Sequence, residues 1–71
     1  MSDRKLLNKF IAHPIVVRVY EEFEWEEYVA RLYINGKEHE DSSYHTNDRE
    51  DCVGTALFIF NHALKRAKVE A

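Results

Sequence analysis

The chain has 71 residues, a net charge of −3 and a single cysteine, Cys52. That length gives one domain over residues 1–71, and the lone cysteine excludes an internal disulfide and paired-cysteine zinc motifs. With 45% apolar and 32% charged residues the chain is expected to fold, and a core this small gains from self-association. No apolar run approaches the roughly 20 residues of a membrane span, and residues 1–14 show no signal-peptide pattern; no membrane contact and a cytoplasmic location are expected.

Charge is segregated along the chain. Residues 1–18 carry four basic groups against one acid, residues 19–51 eleven acids against three bases, and residues 52–71 three bases against one acid. An acidic middle repels a phosphate backbone and attracts a basic protein surface.

In chain order, Ser2 or Asp3 precedes Leu6, Leu7, Phe10 and Ile11, whose spacing predicts a short capped helix ended by His13-Pro14. From Ile15 the period becomes two, with Ile15, Val17 and Val19 on one face and Arg18 and Tyr20 on the other, predicting a first strand. A second strand is expected over about Trp25 to Ile34. Its core face is Tyr28, Ala30, Leu32 and Ile34, and Trp25, Val29 and Tyr33 lie opposite. Asn35-Gly36 predicts a hairpin, because both residues tolerate the positive φ of a type I′ turn. The third strand, about Glu38 to His45, is polar and suited to a sheet edge. Strict two-residue pairing would place Lys37, His39 and Asp41 beside Ile34, Leu32 and Ala30, whereas a three-residue loop with a glycine bulge, the favoured register, brings Tyr44 opposite Tyr28.

A long helix is expected from about Asp48 to Lys68. Asn47 and Glu50 have the spacing of a capping box, acids crowd the first turn, and Lys65, Arg66 and Lys68 crowd the last. The stripe Val53, Ala56, Leu57, Phe60, Leu64, Ala67 would lie on the sheet. Phe58, Ile59 and His62 fall outside it or at its margin, which assigns them to self-association in a homodimer. The expected fold is therefore α+β: a short N-terminal helix, a three-stranded antiparallel sheet and a long C-terminal helix packed on one sheet face.

Catalytic patterns are weak. His39, Asp41 and His45 share a face of an extended strand, but His39 and His45 would lie about 20 Å apart, too far for one metal ion. Cys52 in the first helical turn, with His45 upstream, has the placement of an activated thiol, although a lone helical cysteine is the ordinary small core filler. Two glycines leave no phosphate-binding loop, and Ser42-Ser43 lacks a nucleophile elbow. No enzyme activity, cofactor or metal is expected.

The distinctive segment is YEEFEWEEY, Tyr20 to Tyr28, with five glutamates among four aromatic rings. Either Phe23 and Trp25 fold inward onto the core, or they anchor a partner site made of Glu21, Glu22, Phe23, Glu24, Trp25, Glu26, Glu27 and Tyr33. In the second case the glutamates steer it toward a basic protein surface. Only Arg31 lies within residues 19–36 to offset these acids.

The stretch from Tyr28 to Ala56, YVARLYINGKEHEDSSYHTNDREDCVGTA, resembles small bacteriophage host-takeover proteins, a class that includes anti-CRISPR proteins and inhibitors of bacterial polymerases. That resemblance implies a stoichiometric, non-catalytic inhibitor of a bacterial nucleic-acid-handling protein; it carries over no functional residues. The strands followed by a helix also resemble the tail of a double-stranded RNA-binding domain. The positions that should be basic there read Asp48, Arg49, Glu50 and Asp51. The alternative is a small nucleic-acid-binding accessory protein using a patch of Arg4, Lys5, Lys9, Lys65, Arg66 and Lys68.

Overall fold

The computed structural model describes residues 4–70, with side chains through residue 67. Four strands, β1 (Arg4–Ala12), β2 (Ile15–Glu22), β3 (Glu27–Ile34) and β4 (Lys37–Thr46), precede one helix, α1 (Arg49–Glu70). The strands form an antiparallel sheet in the order β1-β2-β3-β4, and α1 packs on one face, mainly over β2 and β3. The fold is α+β as expected, but the sheet has four strands and the N-terminal segment is β1, not a helix. The cap expected at Ser2 or Asp3 lies outside the described residues.

The misreading of β1 has a local cause. Between Leu6 and Asn8 the register shifts by one residue, and such a bulge interrupts strict alternation. Leu7 and Phe10 reach the helix side, where Phe10 meets Phe60 at 5.9 Å between ring centroids. Leu6 and Ile11 pair with Tyr20 and Val16 on the opposite side and are exposed. Two adjacent apolar pairs, each split between two faces, thus imitate the spacing of a helical stripe.

Asn35 and Gly36 form the expected hairpin turn, with φ of 54° and 79°. The loop has two residues, not three: Ile34 pairs with Lys37 and Leu32 with His39. The extra residues enter later, in β4 between His39 and Tyr44 and across from Arg31, so Tyr44 lies opposite Ala30 and Thr46 opposite Tyr28. The Ser43 hydroxyl donates to the Glu40 carbonyl at 2.7 Å across this bulge, supplying a donor where the strand ladder is broken. At the same end of the sheet the Asn35 amide donates to the Pro14 carbonyl at 3.0 Å, tying the two tight turns together.

Asp48 caps α1: its carboxylate accepts from the Asp51 amide at 3.2 Å, and its carbonyl accepts from the Cys52 amide at 3.0 Å. The cap sits one residue later than the expected Asn47–Glu50 box and lacks a box's reciprocal half, since the Asp48 amide donates to Thr46 Oγ1 at 3.2 Å. The core joins Ile15, Val17, Val19, Ala30 and Leu32 of the sheet to Cys52, Ala56 and Ala63 of the helix. Small residues along that seam let the helix lie close to the sheet. They also turn its buried face relative to the expected stripe, so Ile59 packs against the core while Leu57 is 44% exposed. Phe58 is 69% exposed and stacks on His62.

Candidate functional site

β2 and β3 are joined by Phe23 to Glu26, a four-residue turn in which Glu26 has a φ of 51°. Because β3 begins at Glu27, Trp25 belongs to the turn and leaves the strand alternation. Its side chain is 70% exposed and that of Phe23 53%, so neither ring folds onto the core. Glu24 and Glu26 are exposed beside them. Glu21, Glu22 and Glu27 are half-buried and line a cleft of about 350 Å³ with Phe23, Glu26 and Tyr28.

The acids at the base of the hairpin meet side chains from β1 and β4. Arg4 lies 3.8 Å from Glu22 and Lys5 sits opposite Glu21 in the β1–β2 register. His45 Nδ1 lies 3.1 Å from a Glu27 carboxylate oxygen. Arg31, the only base nearby in sequence, instead pairs with Glu38 at 2.9 Å. The tip is therefore Phe23, Glu24, Trp25 and Glu26, and its two glutamates make no ion pair among the described residues.

Tyr33 and Val29 do not join this surface. Val29 is fully buried between Tyr20 and His45 in register, although it lies on the face turned away from the helix. Tyr33 sits toward the Asn35-Gly36 end, opposite Val16 and under the Arg18 guanidinium at 5.1 Å. Its hydroxyl pKa is raised by burial, then by hydrogen bonding to Tyr20 and by the nearby Tyr20 and Glu38. The expected Trp25–Val29–Tyr33 patch is thus divided into a turn, a core position and a distant ring.

Phe58, Ile59 and His62 come together along a second cleft of about 480 Å³, whose sheet side is Ile15, Leu32 and Ile34. This cleft lies at the opposite end from the acidic hairpin. Arg66 also borders it. Arg4 and Lys5 stand beside the acidic turn and Lys9 faces away from the helix, so these three and the helix end do not form the single basic patch that the alternative required; the Lys68 side chain lies outside the described residues.

No catalytic set assembles from the residues named in sequence. Cys52 is fully buried, and burial followed by the Asp51 charge pushes its thiol up to about 11, so it stays protonated at neutral pH. His39 lies on the helix side opposite Leu32 and His45 on the other side opposite Val29, because the β4 bulge inverts the alternation between them. Among the described residues no group of three His, Cys, Asp or Glu is arranged to hold a metal ion, and no helix is long and apolar enough to cross a membrane. No protein-family model matches the chain, and no curated protein or solved structure is found to resemble it.

Proposed function

We propose that this protein is a non-catalytic, cytoplasmic protein-binding module whose acidic-aromatic hairpin docks on a basic surface of its partner. The observation that carries this reading is the exposure of Trp25 and Phe23 at the tip of a turn whose remaining residues are Glu24 and Glu26. Large rings kept in water contribute little to folding, whereas the same rings desolvated by a partner are typical binding anchors. Unpaired carboxylates around them raise the encounter rate with a cationic surface over a Debye length of about 8 Å at physiological salt. A stoichiometric inhibitor of a nucleic-acid-handling protein is the finer form of this reading, since such proteins carry basic surfaces that an acidic tip can occupy.

Self-association belongs to the same proposal, with Phe58 and His62 bringing a second copy over the cleft beside Ile59. Sedimentation of wild type and Phe58→Glu tests this: a dimer reduced to monomer supports it, and a wild-type monomer at micromolar concentration refutes it. For the hairpin, affinity capture from cell lysate is compared between wild type, Trp25→Ala and a Glu24→Gln/Glu26→Gln variant. One basic protein recovered by the wild type and lost with Trp25→Ala is the expected outcome. Equal recovery by all three rejects the hairpin as the contact.

A further inference from the structure

The face of the sheet turned away from α1 has a composition that the hairpin reading does not use. The β1–β2 register sets Lys9 opposite Arg18, and the β2–β3 register sets Arg31 opposite Arg18. Three cations, one per strand and spaced about 4.8 Å apart between strands, therefore cross the middle of the sheet in a row. Like charges placed directly opposite one another destabilise a strand pair. Only Glu38, bonded to Arg31 at 2.9 Å, offsets them; among the described residues no carboxylate lies within ion-pair distance of Lys9 or Arg18.

Two further features mark this row. The Nε groups of Arg18 and Arg31 are buried and meet no hydrogen-bond acceptor among the described residues, an arrangement that costs stability in an apolar setting. Both guanidinium groups thus have donor capacity that the chain itself does not use. Alongside stand Tyr20 and Tyr33, with Arg4 over the Tyr20 ring at 5.0 Å and Arg18 over the Tyr33 ring at 5.1 Å. The rings and guanidinium planes are held in place before any ligand arrives, which lowers the ordering cost of binding.

We propose that this face binds the phosphate of a nucleotide, free or within a single-stranded nucleic acid. Lys9, Arg18 and Arg31 hold the phosphate, and Tyr20, Tyr33 and the Arg18 guanidinium offer planar surfaces to the base. Cations interleaved with aromatic rings on an open sheet face suit single strands, whose unstacked bases lie flat on such platforms while the backbone tracks the positive charge. An acidic peptide would satisfy the cations but leave the rings unused. The site is separate from the Phe23–Glu26 turn and does not depend on its role.

The test is fluorescence anisotropy of the full chain with labelled oligothymidylate and oligouridylate, competed by ATP, by inorganic phosphate and by a glutamate-rich peptide. Binding at low salt is expected, with a logarithmic salt slope between about −1.4 and −2.1 for two or three phosphates contacted. Lys9→Gln, at an exposed position that leaves the fold intact, flattens that slope by about 0.7. Arg18→Gln weakens binding at least tenfold while circular dichroism is unchanged, and Lys65→Gln and Glu24→Gln/Glu26→Gln leave affinity within twofold. Competition by ATP at comparable concentration identifies a free nucleotide as the ligand, and failure of ATP to compete identifies the strand. The proposal is overturned if no nucleotide probe binds, if Lys9→Gln and Arg18→Gln bind like wild type, or if only the glutamate-rich peptide binds.

Discussion

The two ends of the sheet solve the same problem, reversing the chain, in opposite ways. At one end His13-Pro14 and Asn35-Gly36 make two-residue turns joined by the Asn35 to Pro14 hydrogen bond, beside an apolar cleft. At the other, a four-residue turn lifts Trp25 and Phe23 into water among unpaired glutamates. The first end is built from the residues its turns demand, Asn and Gly at positive φ. The second uses residues that no turn requires, and that mismatch between local need and residue choice is the ground on which we propose it for binding.

Variants at each end test this difference. The largest expected effect comes from pH and from Cys52, buried in the first turn of α1. A thiol that ionises near 8.5 in the unfolded chain and at about 11 in the folded one leaves the folded state holding more protons between those values. Stability from this source is complete below about pH 8.5 and falls as pH rises toward 11, by about 2–3 kcal/mol. Urea titrations at pH 7 and pH 10.5 measure it, and Cys52→Ala should flatten this part of the alkaline decline.

At the tight end, Gly36→Val places a β-branched side chain at a φ of 79° and should cost about 1–2 kcal/mol, read as a shift in the urea midpoint. Asp48→Ala removes the acceptor that caps α1 at the Asp51 amide and should cost about 1 kcal/mol by the same measurement. At the tip, Trp25→Ala should change stability by less than about 0.5 kcal/mol, as expected for an exposed side chain away from core and caps. A large loss of stability there would show that the ring is a structural residue.

These contrasts also explain what was legible in the amino-acid order. β2, β3, the Asn35-Gly36 turn and the long helix were readable because each carries an uninterrupted period or a residue with a single conformational use. β1 was not, since the bulge at Leu7 gives a strand the spacing of a helix, and a bulge leaves no composition signal of its own. That one error also hid the cations beside Glu21 and Glu22, because Lys5 and Arg4 come opposite them only if their segment is a strand. The β4 register was split between two readings, with two-residue pairing at the turn and a bulge several residues later.

The cation row on the open sheet face had a signal that went unused. Arg18 lies five residues before Phe23 and Arg31 five residues after Glu26, so a turn over Phe23 to Glu26 sets the two arginines opposite one another. Helix orientation was readable only approximately, because Val53, Leu57 and Phe60 are as apolar as Ile59. It is the small seam of Cys52, Ala56 and Ala63 that decides which side approaches the sheet.

The central claim is that the acidic-aromatic tip is a contact surface, and stability and capture separate most directly when measured on one variant. Trp25→Ala is compared with wild type for its urea midpoint and for the amount of basic partner recovered from lysate at low and at physiological salt. An unchanged midpoint, recovery reduced at least tenfold, and wild-type recovery that falls as salt rises are expected. An unchanged recovery, or a loss of recovery that accompanies unfolding, would contradict it.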